Sequence, residues 1–285
     1  MKLPYVASDL DGTIVLNSNF KILNETVKDI LNYQEKSDSK FMLITGRTFA
    51  TTKVYVSQLD ITLPVIGCNG ATITDPITRE VLFESVIDLN ISEKLLDFAI
   101  ENNIDLLFYS ADYLVAPKTA ERALYFQNLY KDYEKSLQPD IEFVESLNDL
   151  KEVIMNKTYN PVKFLFSFPD NKDERLLNKT YKLLSSLNLS HPTTRMQGRI
   201  LVDAMNSGIN KAFGLKMFAE IKKLNVKDIH VVGDNNNDLE MVELSDNGCC
   251  VGNAVEPLKK VAKKVLESID ENGVGKYLTS LLSNG

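Results

Sequence analysis

Cysteine and histidine are scarce in this chain of 285 residues, with three of the first and two of the second. The cysteines, Cys68, Cys249 and Cys250, are odd in number and two are adjacent. That pattern does not suggest a disulfide framework and leads us to expect a reducing, cytoplasmic compartment. His191 and His230 stand far apart and in no metal-ligand spacing, and His230 lies in an apolar run that reads as a strand. No apolar run is long enough to span a bilayer, and Met1-Lys2-Leu3-Pro4 runs straight into a strand rather than a signal peptide. Positive charge is in deficit, 32 basic against 39 acidic residues for a net charge of -7. A generally nucleic-acid-binding surface is therefore not expected. A small anionic substrate remains compatible, because a local cation and one lysine override the global sign.

What is present is an ordinary globular balance, 44% hydrophobic and 25% charged, over a length that allows one large or two modest domains with a sizeable core. Strand-like and helix-like segments alternate: a strand at 3–8, a helix at 24–36 with Asn24 as N-cap, a strand at 41–44, a helix at 48–59 and a strand at 64–67. Such alternation predicts a parallel sheet with crossover helices. The grammar then changes. A hairpin at 71–75 and 79–84 precedes a helix at 91–101, a strand at 105–109, a helix at 118–132, a half-buried strand at 162–168, a helix at 171–188 and a strand-rich stretch at 191–205. The parallel pattern resumes with a helix at 209–223, a strand at 228–232, a helix at 238–244, a short strand at 249–251 and helices at 256–266 and 274–283. The expected fold class is α/β, a Rossmann-like doubly wound parallel sheet with an inserted α+β domain. Residues 1–85 plus 191–285 form the core and residues 86–190 the insertion.

Polar clusters follow four of the apolar strands: Asp9/Asp11, Thr45/Gly46, Asn69/Gly70 and Asp234/Asn237/Asp238. If the strands are parallel, all four lie along one sheet edge, where ligands bind in open α/β sheets. Two carboxylates two positions apart crowd negative charge, so a cation belongs beside them, most simply Mg2+. One carboxylate can attack phosphorus while the other moves a proton. Taken singly, each cluster has a plainer reading. Asp and Gly form turns, Thr45 caps helices, Lys211 reads as a solvated helix residue, and Asp234 and Asp238 read as loop and cap residues.

The ordered strings Asp9-Leu10-Asp11-Gly12-Thr13, Ile44-Thr45-Gly46-Arg47, Asn69-Gly70-Ala71, Gly208-Ile209-Asn210-Lys211, Gly233-Asp234-Asn235-Asn236-Asn237-Asp238 and Gly252-Asn253-Ala254 span nearly the whole chain. Glu271-Asn272-Gly273-Val274 follows them. Together they resemble the haloacid dehalogenase superfamily, in particular its Cof-type phosphatases. Asn210 stands where relatives often carry serine. The resemblance implies that Asp9 is a nucleophile forming an aspartyl-phosphate, and that Asp11 is the general acid and base. It implies a Mg2+ site made by Asp9, Asp11 (through its main-chain carbonyl), Asp234 and Asp238, the last as ligand or orienter. It further implies that Leu10, Thr45, Gly46, Lys211 and Asn237 hold the phosphate. Asn69 and Asn253 stay ambiguous between site and turn, and Arg47 is expected to pin a helix or pair with an acid.

Between Thr13 and Phe41 there is room for one turn and one helix, so the insertion falls late, between Asn69 and Lys211. That placement matches the Cof-type cap, which sets substrate specificity, and argues against dehalogenases and phosphonatases. Tyr109, Tyr113, Arg195 and Arg199 are candidates for contacting a sugar or phosphate. The implied activity is Mg2+-dependent hydrolysis of small phosphate monoesters, sugar phosphates among them, with a phosphorylated metabolite as partner and neither nucleic acid nor membrane. A sugar phosphomutase and a non-catalytic phosphate-binding regulator are the alternatives.

Overall fold

The computed structural model describes residues 3–170, 174–196 and 198–283. The first two residues of the expected N-terminal reading, and the start of the helix expected at 171–188, lie outside them. The chain divides into two units: 1–46, 54–82 and 210–285 form the first, and 47–53 with 83–209 form the second.

The first unit is built on five parallel strands in the order Lys264–Val265, Gly248–Cys250, His230–Gly233, Val6–Ser8, Phe41–Leu43. Val6, Ala7, Phe41, Met42, Leu43, Val231 and Val232 are fully buried, as befits strands covered on both faces. The chain leaves Val6–Ser8 toward one side of the sheet and occupies the other side only after residue 210. The topological switch point therefore lies between Val6–Ser8 and His230–Gly233.

The helix Asn24–Ser37 follows the expected span, but Leu23 is its N-cap position and Asn24 makes no capping bond. The helix ends at Asp38 in the left-handed region (φ 61°), and Gln34 Oε1 accepts from Phe41 N at 3.1 Å, tying the helix to the next strand. The stretch 48–59 is a 3-10 turn, Phe49–Thr51, followed by a short helix, Lys53–Gln58. The strand Val65–Gly67 forms within the expected 64–67. It meets the main sheet through one parallel bridge, Ile44 to Ile66, and its ladder runs antiparallel to Thr72–Thr74. The late Asn272-Gly273 string is a structural tie: Asn272 accepts from Thr26 Oγ1 and donates to Asp29 Oδ2, both at 2.8 Å, joining the first and last helices.

The second unit holds a largely antiparallel sheet, ordered Leu189–Ser190, Arg199–Asn206, Lys163–Pro169, Asp105–Tyr109, Leu114–Pro117, Ile141–Val144, with Thr193–Met196 also paired to Arg199–Asn206. Its core includes Leu95, Leu96, Leu106, Phe108, Leu150, Ile154, Phe164, Phe166 and Val202. The boundary expected at 190/191 moves to 209/210, because Arg199–Asn206 pairs with Lys163–Pro169. Alternating hydrophobicity reveals a strand but not the sheet that receives it.

The candidate specificity residues have partners within this unit. The Tyr113 ring packs on Tyr159 at 4.9 Å, Lys163 Nζ sits 4.3 Å from the Tyr109 ring centroid, and Arg195 pairs with Asp170. Arg199 bonds Ser167, Asp105 (3.2 Å) and Glu121 (3.0 Å). Arg47 donates to Tyr130 Oη at 2.5 Å and to the Thr51 carbonyl at 3.4 Å, so it pins its own turn and the helix Glu121–Tyr130.

Burial outweighs Arg199 at Asp105 and pushes its pKa from 3.8 up to about 6. A carboxyl raised on folding contributes most stability below its unfolded pKa and loses that contribution as pH rises through its folded value. Asp105→Asn is therefore expected to gain about 1–3 kcal/mol relative to wild type between about pH 4 and pH 7. Urea melts at both pH values check this; an identical pH dependence in the two proteins would contradict it.

Candidate active site

Asp9 leaves the strand Val6–Ser8 and Asp234 leaves His230–Gly233. The two strands are parallel neighbours with Ser8 opposite Val232, so both carboxylates emerge at one sheet end, flanking the switch point. Asp9 N donates to the Val232 carbonyl at 2.9 Å, which fixes where the first loop begins. Asp238 closes the single turn Asn236–Asp238, and its Oδ2 accepts from the backbone N–H groups of Asp234 and Asn235, both at 2.9 Å. Lys211 is the first residue of the helix Lys211–Lys222, whose N-cap is Asn210; Asn210 Oδ1 accepts from Phe213 N at 2.8 Å. The departure from serine thus keeps a capping oxygen.

Lys211 is fully buried. Its Nζ lies 2.5 Å from Asp9 Oδ1 and 2.6 Å from Asp238 Oδ1. Thr13 Oγ1 is 3.3 Å from both Asp9 Oδ2 and Asp234 Oδ1, linking the first loop to the fourth. Gly12 has φ +83°, and a Cβ there would stand 2.3 Å from Asp234 Oδ2, so the close approach of the two loops requires glycine.

Ligand oxygens of Asp9, Asp234 and Asp238 lie within 4.8 Å of one another. When ionised, these three carboxylates exceed the Lys211 ammonium by two negative charges. Burial, more than the neighbouring Asp238 and Asp234, pushes Asp9 well above the ordinary carboxylate range against the pull of Lys211. Burial and then Asp238 raise Asp234 to about 6. At Lys211 burial favours the neutral amine, but Asp238 and Asp9 prevail and hold it charged well above the usual lysine range. The excess negative charge and hard oxygen donors fit a divalent cation of the Mg2+ type. Asp238 already accepts three hydrogen bonds, from Lys211, Asp234 and Asn235, which suits a carboxylate that orients the others.

Asp11 lies outside this carboxylate cluster. The loop doubles back after Leu10, whose carbonyl accepts from Ile14 N at 3.0 Å and Val15 N at 2.8 Å. Leu10 itself is fully buried. Thr45 is held by its neighbours: Thr45 N donates to the Ile66 carbonyl and Asn69 N to the Thr45 carbonyl, both at 2.9 Å. Asn237 Nδ2 donates to Asn69 Oδ1 at 3.0 Å, and a Cβ on Gly46 would lie 3.1 Å from that same oxygen.

The two ambiguous asparagines are both tied to the site loops. Asn253 donates to the Gly12 carbonyl at 2.8 Å and accepts from Ile269 N at 2.9 Å. The sequence signal for Thr13 is a hydroxyl four residues after Asp9, within the string that carries the first loop.

A family model described as haloacid dehalogenase-like hydrolase matches residues 6–278. The 5-amino-6-(5-phospho-D-ribitylamino)uracil phosphatase YwtE of Bacillus subtilis (strain 168) is 27% identical over 296 residues, covering 98% of each chain. Phosphatase YwpJ of the same organism is 25% identical over 99% of this chain and 100% of its own. Among solved structures, a haloacid dehalogenase-like hydrolase from Bacteroides thetaiotaomicron has a TM-score of 0.78 at 21% identity, covering 98% of this chain and 100% of its own. The HAD subclass IIB sugar phosphatase BT4131 has a TM-score of 0.72 at 20% identity, covering 97% and 98%. Among the described residues no helix is long and apolar enough to cross a membrane.

Proposed function

The chain belongs to the haloacid dehalogenase-like hydrolases, a family of enzymes, and from that premise we propose a Mg2+-dependent phosphatase that hydrolyses small phosphate monoesters, sugar phosphates among them. The observation that carries this reading is Lys211, fully buried with its ammonium between Asp9 and Asp238, three residues drawn from opposite ends of the chain. The substrate class is supported by two relatives, one named for a phospho-ribityl compound and one named a sugar phosphatase.

In this reading a carboxylate oxygen of Asp9 attacks phosphorus and the phosphorus–oxygen bond to the leaving alcohol breaks. Asp11 gives a proton to the departing alkoxide, then takes one from the water that releases phosphate from Asp9. Lys211 places positive charge on the transferring group, while Thr45, Gly46, Asn237 and the backbone at Leu10 orient its oxygens. Asp9, Asp234 and the main-chain carbonyl of Asp11 would hold the cation, and Asp238 orients Lys211 and the Asp234 loop. Bound Mg2+ supplies Lewis-acid neutralisation of phosphoryl charge.

The test is phosphate release from a panel of sugar phosphates, nucleotides and a chromogenic monoester, with Mg2+ and after chelation. Release that depends on Mg2+ is expected. Transfer that requires a sugar bisphosphate, without net release, would put the mutase in its place.

A further inference from the structure

Asn69 sits in a turn of unusual backbone. Cys68, Asn69 and Gly70 have φ values of 48°, 54° and 96°, three successive left-handed residues, where asparagine and glycine are at ease and cysteine is not. The turn is locked from both sides. Asn69 N donates to the Thr45 carbonyl at 2.9 Å, and a Cβ on Gly70 would stand 2.1 Å from the Asn210 carbonyl, against the residue that caps the Lys211 helix. Of the three, only Cys68 is held against its own preference, and its surroundings enforce the turn.

The turn delivers one nearly buried side-chain amide. Asn69 is 8% exposed, and its Oδ1 accepts from Nδ2 of Asn237, which is itself exposed. An exposed asparagine can turn its amide end for end and present an oxygen where a nitrogen had been. With Asn69 presenting Oδ1, the bond selects the orientation in which Asn237 turns its nitrogen toward Asn69. It engages one hydrogen of the Asn237 amide and leaves the second in a fixed direction, on the turn that joins Asp234 to Asp238. Beside a phosphate dianion the difference is between a donor and a repelling carbonyl oxygen.

We propose that Asn69 is a positioning residue for phosphate, fixing the amide of Asn237 so that it presents N–H to the bound anion. This rests on the phosphatase reading, and it assigns to the Asn69-Gly70 string a task that its turn geometry alone does not require.

Asn69→Gly isolates the side chain, because glycine keeps the left-handed backbone and deletes the amide. Asn69→Gly, Asn237→Ala and the double variant are compared by KM and kcat on a phosphomonoester and by calorimetric binding of inorganic phosphate to the Mg2+-loaded protein. Asn69→Gly is expected to raise KM and the phosphate Kd about tenfold, with kcat changed less than about twofold. The double variant is expected to bind no more weakly than Asn237→Ala alone. Unchanged phosphate affinity in Asn69→Gly, or losses that multiply in the double variant, would overturn the proposal. Wild-type protein that binds phosphate without turning over any monoester would remove the phosphatase reading and leave this cycle readable. Wild-type protein that binds no phosphate would remove both.

Discussion

Asp9→Asn is expected to lose at least about 10⁴-fold in phosphate release while melting within a few degrees of wild type. An amide matches the carboxylate in shape but cannot act as the nucleophile. Little stability should be lost, because burial already penalises the Asp9 carboxylate and Lys211 keeps Asp238 as a partner at 2.6 Å. The amide oxygen can still accept from Lys211, so the substitution strands no buried donor. Phosphate release and a thermal melt, run together, separate chemistry from fold. Activity within about tenfold of wild type would falsify the nucleophile assignment.

Lys211→Met is expected to damage both. The ammonium is fully buried and contacts two carboxylates, and removing one partner from a buried ion cluster costs about 3–5 kcal/mol. Methionine nearly fills the volume, so the loss is electrostatic rather than a cavity. Without the ammonium, Asp9 and Asp234, whose pKa values are already raised, rise further. Groups raised on folding favour the folded state when protonated and oppose it as pH climbs. The deficit should therefore be largest near about pH 7 and shrink toward about pH 5. Turnover should drop about 10³-fold through lost stabilisation of phosphoryl charge. Urea melts of the metal-free variant at both pH values read the first effect, and phosphate release reads the second. A variant as stable as wild type near neutrality would show that Lys211 does not neutralise this cluster.

The parallel core was legible because its strands are short apolar runs ending in chemistry. Asp9, Thr45 and Asp234 each announce a strand end, and Asp105–Tyr109 has the same bounds in sequence and structure. What stayed hidden depends on partners. Thr193–Met196 and Arg199–Asn206 alternate as strands do, and only pairing with Lys163–Pro169 assigns them to the second unit. The helix Leu147–Met155 lies outside every expected element although Ser146 caps it and Leu150 and Ile154 form its buried face, and Lys264–Val265 reads as the tail of a Lys-rich helix. At the site, spacing brought forward the charged residues. It could not say that Asp238 has three hydrogen-bond donors while Asp234 faces Gly12, nor that Asn69 reaches Asn237 across 168 positions of chain.

The segment 47–53 gives the insertion a root system. It lies in sequence among first-unit elements yet belongs with the second, where Thr48 Oγ1 donates to the carbonyls of Ser110 and Ala111 and Lys53 pairs with Asp140 at 2.9 Å. A gene spliced cleanly at 82/83 and 209/210 would therefore not release two independent proteins. The shortened first unit would carry Arg47, Thr48 and Lys53 deprived of their partners, and the excised piece would lack the strand of chain those partners grip. Exchange of such insertions between relatives, in the laboratory or in evolution, has to move a second, seven-residue patch in concert with the large one.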